Sequence, residues 1–279
     1  MRKVSPVFSH VNYQKKSTAQ ANWGKPLKHD EALSANPYKV KTYDDLVRTV
    51  AQIAHYNRKY SLFFRGQARE YLKDGKTSIL PSIYRRKTNE KNSTLKNKFL
   101  LLKEKSEQLI SLINKQQPLL AGTALLNRYE ELQWAILQHY EVCETPLLDI
   151  THSLHVACSF AQDNNNGKTG IVYVLGMPYP ADSISFNTYE ELLNVKLAGF
   201  CPPQAQRPFF QEGYLTGPFP YFNLEQSEKK SQFDFAKRLI AKFEIPVKDS
   251  FWGAGFSAIP HGKLYQEKDV MKTICAKIR

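Results

Sequence analysis

Apolar positions recur along the chain in two periods, and the points where the period changes divide it into elements. In "TYDDLVRTVAQIAHYNRKY", Leu46, Val50, Ile53 and Ala54 fall at helical spacing behind a Thr42 cap, with Asp44 and Asp45 in the first turn. This predicts an amphipathic helix. "SLFFRG" follows as a short buried strand, and Asp74-Gly75 marks a turn before Pro81. In "TLKNKFLLLKEKSEQLISLINKQ", Leu100, Leu101, Ile110 and Ile113 are expected to seat a basic helix. "NRYEELQWAILQHYEV" predicts a second helix, with Leu132, Ile136, His139 and Tyr140 on one face, which turns His139 toward the interior or a cleft.

"TPLLDI" reads as a buried strand, Thr151 or Ser153 as a cap, and "SLHVACSFAQD" as a helix carrying Leu154, Ala157, Cys158 and Ala161 at i, i+3, i+4 and i+7. "GIVYVLGMP" is a strand by composition. "NTYEELLNVKLAGF" has a helical look, "QRPFFQEGYLTGPFP" reads as strand and turn, and "AKRLIAKFEIPV" and "DVMKTICAKI" are late elements. Helices and short strands mix without a βαβ repeat, which predicts α+β. Residues 1–38, with Lys15, Lys16, Lys25 and Lys28, are expected to form a basic polar extension to an ordered domain at 39–279, which carries a helical insertion at about 88–118.

Composition changes this picture modestly. The chain has 279 residues, 42% hydrophobic, enough for one substantial core. Its net charge of +13 makes a polyanion such as nucleic acid a reasonable partner, although lysines on a helix are also expected on any solvated face. Cys143, Cys158, Cys201 and Cys275 lie far apart without metal-ligand spacing, so no metal is expected, and Cys143 and Cys158 read as packing residues in a reduced, cytoplasmic protein. The first residues lack a signal peptide's apolar core, and no stretch is apolar for long enough to span a bilayer, so no membrane partner is expected. Phosphate loops, dinucleotide-binding glycine motifs, zincin helices and nucleophile elbows are absent.

Three clusters remain in which polar residues interrupt apolar runs: "FFRGQ", "LQHYEVCETPLLDITHSLHVACSFA" and "QRPFFQEGYLTG". Buried polar groups cost free energy unless paired, so these residues are either satisfied internally or reserved for a ligand. Arg65 can lock two strands by pairing with Asp149, or it can meet an anion. His139 can be a hydrogen-bonded core histidine, or an acid or base. Asp149 and Thr151 can be a strand end and a cap, or part of a site.

Taken in order, "FFRGQ", "ILPSIYR", "LQHYEVCETPLLDITHSLHVACSFA", "RPFFQEGYL" and "IPHGKLYQEKDVMKTI" resemble the FRG domain family from about residue 40 onward. The family's central "HYG-x-P-T-R-LLD" is altered here, with Glu141, Cys143 and Pro146 replacing its Gly, Pro and Arg, and the closing block is shortened. The pattern is also similar to the three-part site of arginine-type ADP-ribosyltransferases. That resemblance implies an ADP-ribosyltransferase-like core with NAD as substrate, cleaved by a transferase or an NAD glycohydrolase. In its terms Arg65, with Gly66 and Gln67, supports the phosphates, Thr151 shapes the nicotinamide pocket, Asp149 and Tyr140 lie alongside, and Gln211 or Glu212, with His139, assists bond cleavage. Strand alternation would place Gln211 and Glu212 on opposite faces, leaving open which of them is used. The family's genomic company implies a role as a toxin or in phage defence, a protein or nucleic-acid target, and an antitoxin or regulatory partner. The rival reading is a basic nucleic-acid or nucleotide-binding module without catalysis.

Overall fold

The structure, a computed structural model, describes residues 1–11, 25–85, 94–219 and 231–279. Its centre is β6 (Thr169–Met177), rich in β-branched and aromatic residues and buried almost throughout. On one side β6 pairs antiparallel with β10 (Leu239–Pro246), whose far edge is extended by β1 (Tyr38–Lys39). On its other side it pairs antiparallel with β2 (Ser61–Gln67). Beyond β2 come β5 (Leu148–Thr151), β9 (Gly213–Pro218), β8 (Leu192–Lys196) and β7 (Ile184–Asn187), completing an eight-stranded sheet. β3 (Leu72–Lys73) and β4 (Lys76–Thr77) form a separate hairpin, turned by Asp74 and Gly75, both at positive φ. With its helices this is an α+β architecture.

Of the helices, α1 (His29–Ser34) lies near β10, and α2 (Tyr43–Tyr56) is capped by Thr42, whose hydroxyl accepts from Asp45 N, and buries Leu46, Val50 and Ile53. Next in the chain, α3 (Leu95–Asn114), α4 (Thr123–Arg128) and α5 (Glu130–His139) share a core with the β8–β9 end of the sheet. Following β5, α6 (Leu154–Gln162) lies across β2 and β6, and this closeness depends on glycine. A Cβ on Gly66 would stand 1.8 Å from the Ala157 carbonyl oxygen, and one on Gly170 2.3 Å from that of Ala161. The chain also forms α7 (Arg207–Phe210), α8 (His261–Leu264) and α9 (Val270–Ala276).

The structure departs from the sequence reading in four places. Residues 192–196 form a strand, because the apolar run Leu192, Leu193 and Val195 is claimed by pairing with β7 and β9; intrinsic helical preference yields to tertiary pairing. On α3 the packed positions are Leu102, Leu109 and Ile113, while Leu100 and Leu101 face solvent. Residues 207–210 are helical rather than extended, so β9 begins only at Gly213. The described part of 1–38 is not a free arm: Met1, Val4, Val7, Ala32 and Leu33 are buried, and the Met1 ammonium pairs with Glu191. Lys15, Lys16 and the insertion's residues 88–93 lie outside the described residues.

Candidate functional site

The sheet opens where β2 leaves β5. β2 follows β6 for seven residues but meets β5 at one register position, Phe64 opposite Thr151. A cavity of about 300 Å³ lies there, lined by Phe64, Arg65 and Gly66 from β2 and by Asp149, Ile150 and Thr151 from β5. Its remaining lining is Gln138 and His139 of α5, Glu141 just beyond that helix, Phe160 of α6, Arg207 of α7, Gln211, Gly213 and Tyr265.

Arg65 donates through Nη1 to the Asp149 main-chain carbonyl at 2.6 Å, and its buried Nε has no partner. Burial presses its pKa down, against the pull of the Asp149 charge. The Asp149 carboxylate takes His139 Nδ1 at 3.1 Å on one oxygen and Gln138 Nε2 at 3.0 Å on the other. The Gln138 amide is oriented in turn, since its Oε1 accepts from Thr145 and Ser82 hydroxyls at 2.8 and 3.1 Å. Asp149 lies deep within the protein, yet about a third of its side chain (34%) stays open to the cavity. Burial alone would raise its pKa, but the His139 hydrogen bond and the nearby Arg65 charge outweigh this and hold it below the ordinary value. Burial lowers the pKa of His139, which is therefore neutral near pH 7. Paired with an ionised carboxylate, it carries its proton on Nδ1, leaving Nε2 as an unshared lone pair; that atom is buried and without a partner.

Arg207, 6% exposed, completes the cationic lining. Its guanidinium lies 4.7 Å from the Tyr265 ring centre and 5.4 Å from that of Tyr140, and Nη2 donates to Glu141 Oε1 at 3.1 Å. Asp269 holds this corner: its carboxylate accepts from the Tyr140 hydroxyl, from Arg207 N and from two amides at the start of α9.

The structure thus gathers Arg65, Gly66, His139, Asp149, Thr151 and Gln211 around one cavity. Thr151 does so while its hydroxyl accepts from Ser153 N, and Ser153 caps α6. Three of the expected placements change. Glu212, at φ +44, is exposed, and its charge acts on His152 and Tyr214 instead of the cavity. Gln211 occupies the inner position, its amide tied to the Leu264 carbonyl at 2.9 Å. Tyr140 sits behind Arg207, bonded to Asp269, and Gln67 lies beyond the lining. Gly66, at the cavity wall, is also what allows the close approach of α6. Arg207, Gln138, Glu141 and Tyr265 were missed as site residues. The available signal for Arg207 was its place inside "QRPFF", an arginine next to a proline and two aromatics in a block already singled out.

The fold and this cavity define an α+β protein whose candidate binding site is built at a parted strand pair. Residues 60–169 match the model of the FRG domain family. The match spans β2 through α6 and includes Arg65, His139, Asp149 and Thr151, while Arg207, Gln211 and Tyr265 come from outside it. No curated protein and no solved structure matches the chain.

Proposed function

We propose that this cavity binds NAD and cleaves its nicotinamide glycosidic bond, transferring or releasing ADP-ribose. The observation that carries the reading is the convergence on one cavity of two arginines and a histidine, each with a buried ring or guanidinium nitrogen that has no partner among the described residues: Arg65 Nε, Arg207 Nε and His139 Nε2. Buried polar atoms of this kind are normally satisfied, so three around one cavity mark a place for a ligand rich in acceptors. A cavity of about 300 Å³ suits one half of a dinucleotide, with the other half in the mouth.

In this reading Arg65 and Arg207 hold the pyrophosphate, and Asp149 takes the part that the resemblance gives to a late carboxylate. Cleavage breaks the bond between ribose C1′ and the pyridinium nitrogen; the electron pair leaves with neutral nicotinamide, and positive charge develops on the ribose. The ionised Asp149 faces that charge, and no metal is needed. A water or target nucleophile adds at C1′ and gives its proton to His139 Nε2, while Asp149 stabilises the resulting imidazolium. The test is incubation with NAD, alone and with cell lysate, reading released nicotinamide and transferred labelled ADP-ribose. Activity that disappears in folded Arg65→Ala protein supports the reading, and wild-type protein inert in both assays overturns it.

The net charge of +13 keeps one other reading in view, a nucleic-acid-binding protein whose contacts are lysines outside the cavity. It requires RNA or DNA binding that weakens steeply with salt and survives Arg65→Ala.

A further inference from the structure

Glu141 is one of five non-glycine residues at positive φ among the described residues, at +57, a backbone conformation that glycine adopts freely and glutamate resists. It stands immediately beyond α5 at the rim of the cavity, with its side chain 59% exposed, and its Oε1 accepts the 3.1 Å hydrogen bond from Arg207 Nη2. Arg207 is almost wholly buried, and its Nε is unpartnered. Among the described residues Arg65 has no carboxylate hydrogen-bond partner; its one hydrogen bond there goes to a neutral carbonyl, and its Nε too is unpartnered. Tyr265 lines the cavity together with both arginines, and Arg207 lies over its ring.

We propose that Arg65 and Arg207 form a paired site for a diphosphate, and that Glu141 is a built-in carboxylate that occupies the Arg207 half until such a ligand displaces it. This rests on the reading of the cavity as a dinucleotide site and names the group that the two arginines recognise. Three features fit a displaceable plug better than a structural ion pair. The carboxylate is largely in water, where ion pairs are weak and exchange readily. Its backbone conformation is one that a glutamate has no intrinsic reason to hold. A second cation is ready to receive it: Arg279 Nη2 stands 4.0 Å from its other oxygen and is itself half exposed. A diphosphate offers Arg207 two oxygens and more charge where Glu141 supplies a single oxygen, and it reaches Arg65 as well.

Inorganic pyrophosphate, titrated calorimetrically at fixed ionic strength, tests this without any catalytic step. Glu141→Gln and Glu141→Gly are expected to bind it about fivefold tighter than wild type, the change that follows from removing a competing exposed pair. Adding Arg207→Gln to either variant should erase the gain, and orthophosphate should gain less than pyrophosphate. Equal or weaker pyrophosphate binding by both folded Glu141 variants overturns the proposal, as does a gain that persists without Arg207. The two readings fail separately. A Glu141 effect on pyrophosphate in a protein that never releases nicotinamide removes NAD cleavage and leaves the diphosphate site; NAD cleavage with no Glu141 effect removes the plug alone.

Discussion

Arg65 and Asp149 meet through the backbone: the guanidinium donates to the Asp149 carbonyl at 2.6 Å, while the Asp149 carboxylate is turned to His139 and Gln138. The sequence left two alternatives, a locking ion pair or an arginine free for a ligand, and the geometry combines them. One nitrogen anchors Arg65 across the opening between β2 and β5, and among the described residues the guanidinium charge has no carboxylate hydrogen-bond partner.

Arg65→Gln should therefore separate the two roles. Glutamine retains an N–H donor, so the cost in stability is expected to stay within about 1–3 kcal/mol. Affinity for ADP-ribose should drop at least about tenfold, the loss expected for a charge-assisted hydrogen bond. Urea unfolding and calorimetric titration on the same sample check both; unchanged ADP-ribose affinity would make Arg65 a purely structural residue.

Asp149→Asn changes a proton position more than a shape. An asparagine amide oriented toward His139 donates to Nδ1, which moves the imidazole proton to Nε2 and removes the base, along with the negative charge near the ribose. Nicotinamide release is expected to fall by about 100-fold or more, while ADP-ribose binding changes little. Histidine ¹⁵N chemical shifts would report the tautomer directly, and an unchanged tautomer would contradict this assignment.

The elements that surround the cavity were legible because their signals are local. Thr42 with Asp44 and Asp45, the short apolar and aromatic run of β2, and the 3.6-residue spacing of α6 each fix one element without reference to the rest. β8 was read as a helix because "EELLNVKL" has a local helical preference, which pairing with β7 and β9 overrides. The arginine, histidine, aspartate and threonine of the site were legible as polar interruptions of apolar runs. Arg207 and Tyr265 were not, because their role depends on α7 and the segment after α8 folding back over a cavity formed more than 50 residues earlier in the chain. Glu212 was weighed with Gln211 because the resemblance expects a late carboxylate or amide there; the helical 207–210 segment leaves Gln211 buried at the cavity and Glu212 exposed.

Gly66 gives the sharpest packing prediction. A methyl group there meets backbone, the Ala157 carbonyl oxygen at 1.8 Å and Ala161 N at 2.8 Å, and neither can rotate away. Gly66→Ala should cost about 3 kcal/mol or more by forcing α6 off the sheet. Gly75→Ala, at φ +71 with nothing within 4 Å, should cost only about 1 kcal/mol. Melting temperatures of the two variants compare the costs, and equal shifts would mean that α6 is free to move.

Stability should also fall on mild acidification. Burial lowers His10 and His29 from 6.5 to about 4, and lowers His139 as well. Between pH 6.5 and about 4 the unfolded chain takes up protons that the folded one refuses, so unfolding is progressively favoured as pH drops through that window. Asp149, whose folded pKa is depressed, adds its loss only below its ordinary value of 3.8. Melting temperature should decline from pH 7 to pH 4, and His10→Gln, which keeps an N–H for the Asn36 carbonyl, should flatten the slope. A profile with the same slope in that variant would remove His10 from the account.

Lys242 tests how the far side of the sheet is held. It is 1% exposed in β10, and its ammonium is fully committed to the Leu33 carbonyl, Thr77 Oγ1 and Glu70 Oε1. Lys242→Met leaves the Glu70 carboxylate, itself mostly buried, without its counter-charge, and should destabilise by about 3–5 kcal/mol. Adding Glu70→Gln removes that stranded charge while retaining an acceptor for the Thr77 hydroxyl at 2.7 Å. The double variant should recover roughly half of the loss or more. Chemical denaturation of the single and double variants gives the coupling directly. Strict additivity of the two substitutions would show that the pair contributes packing and hydrogen bonds rather than charge compensation.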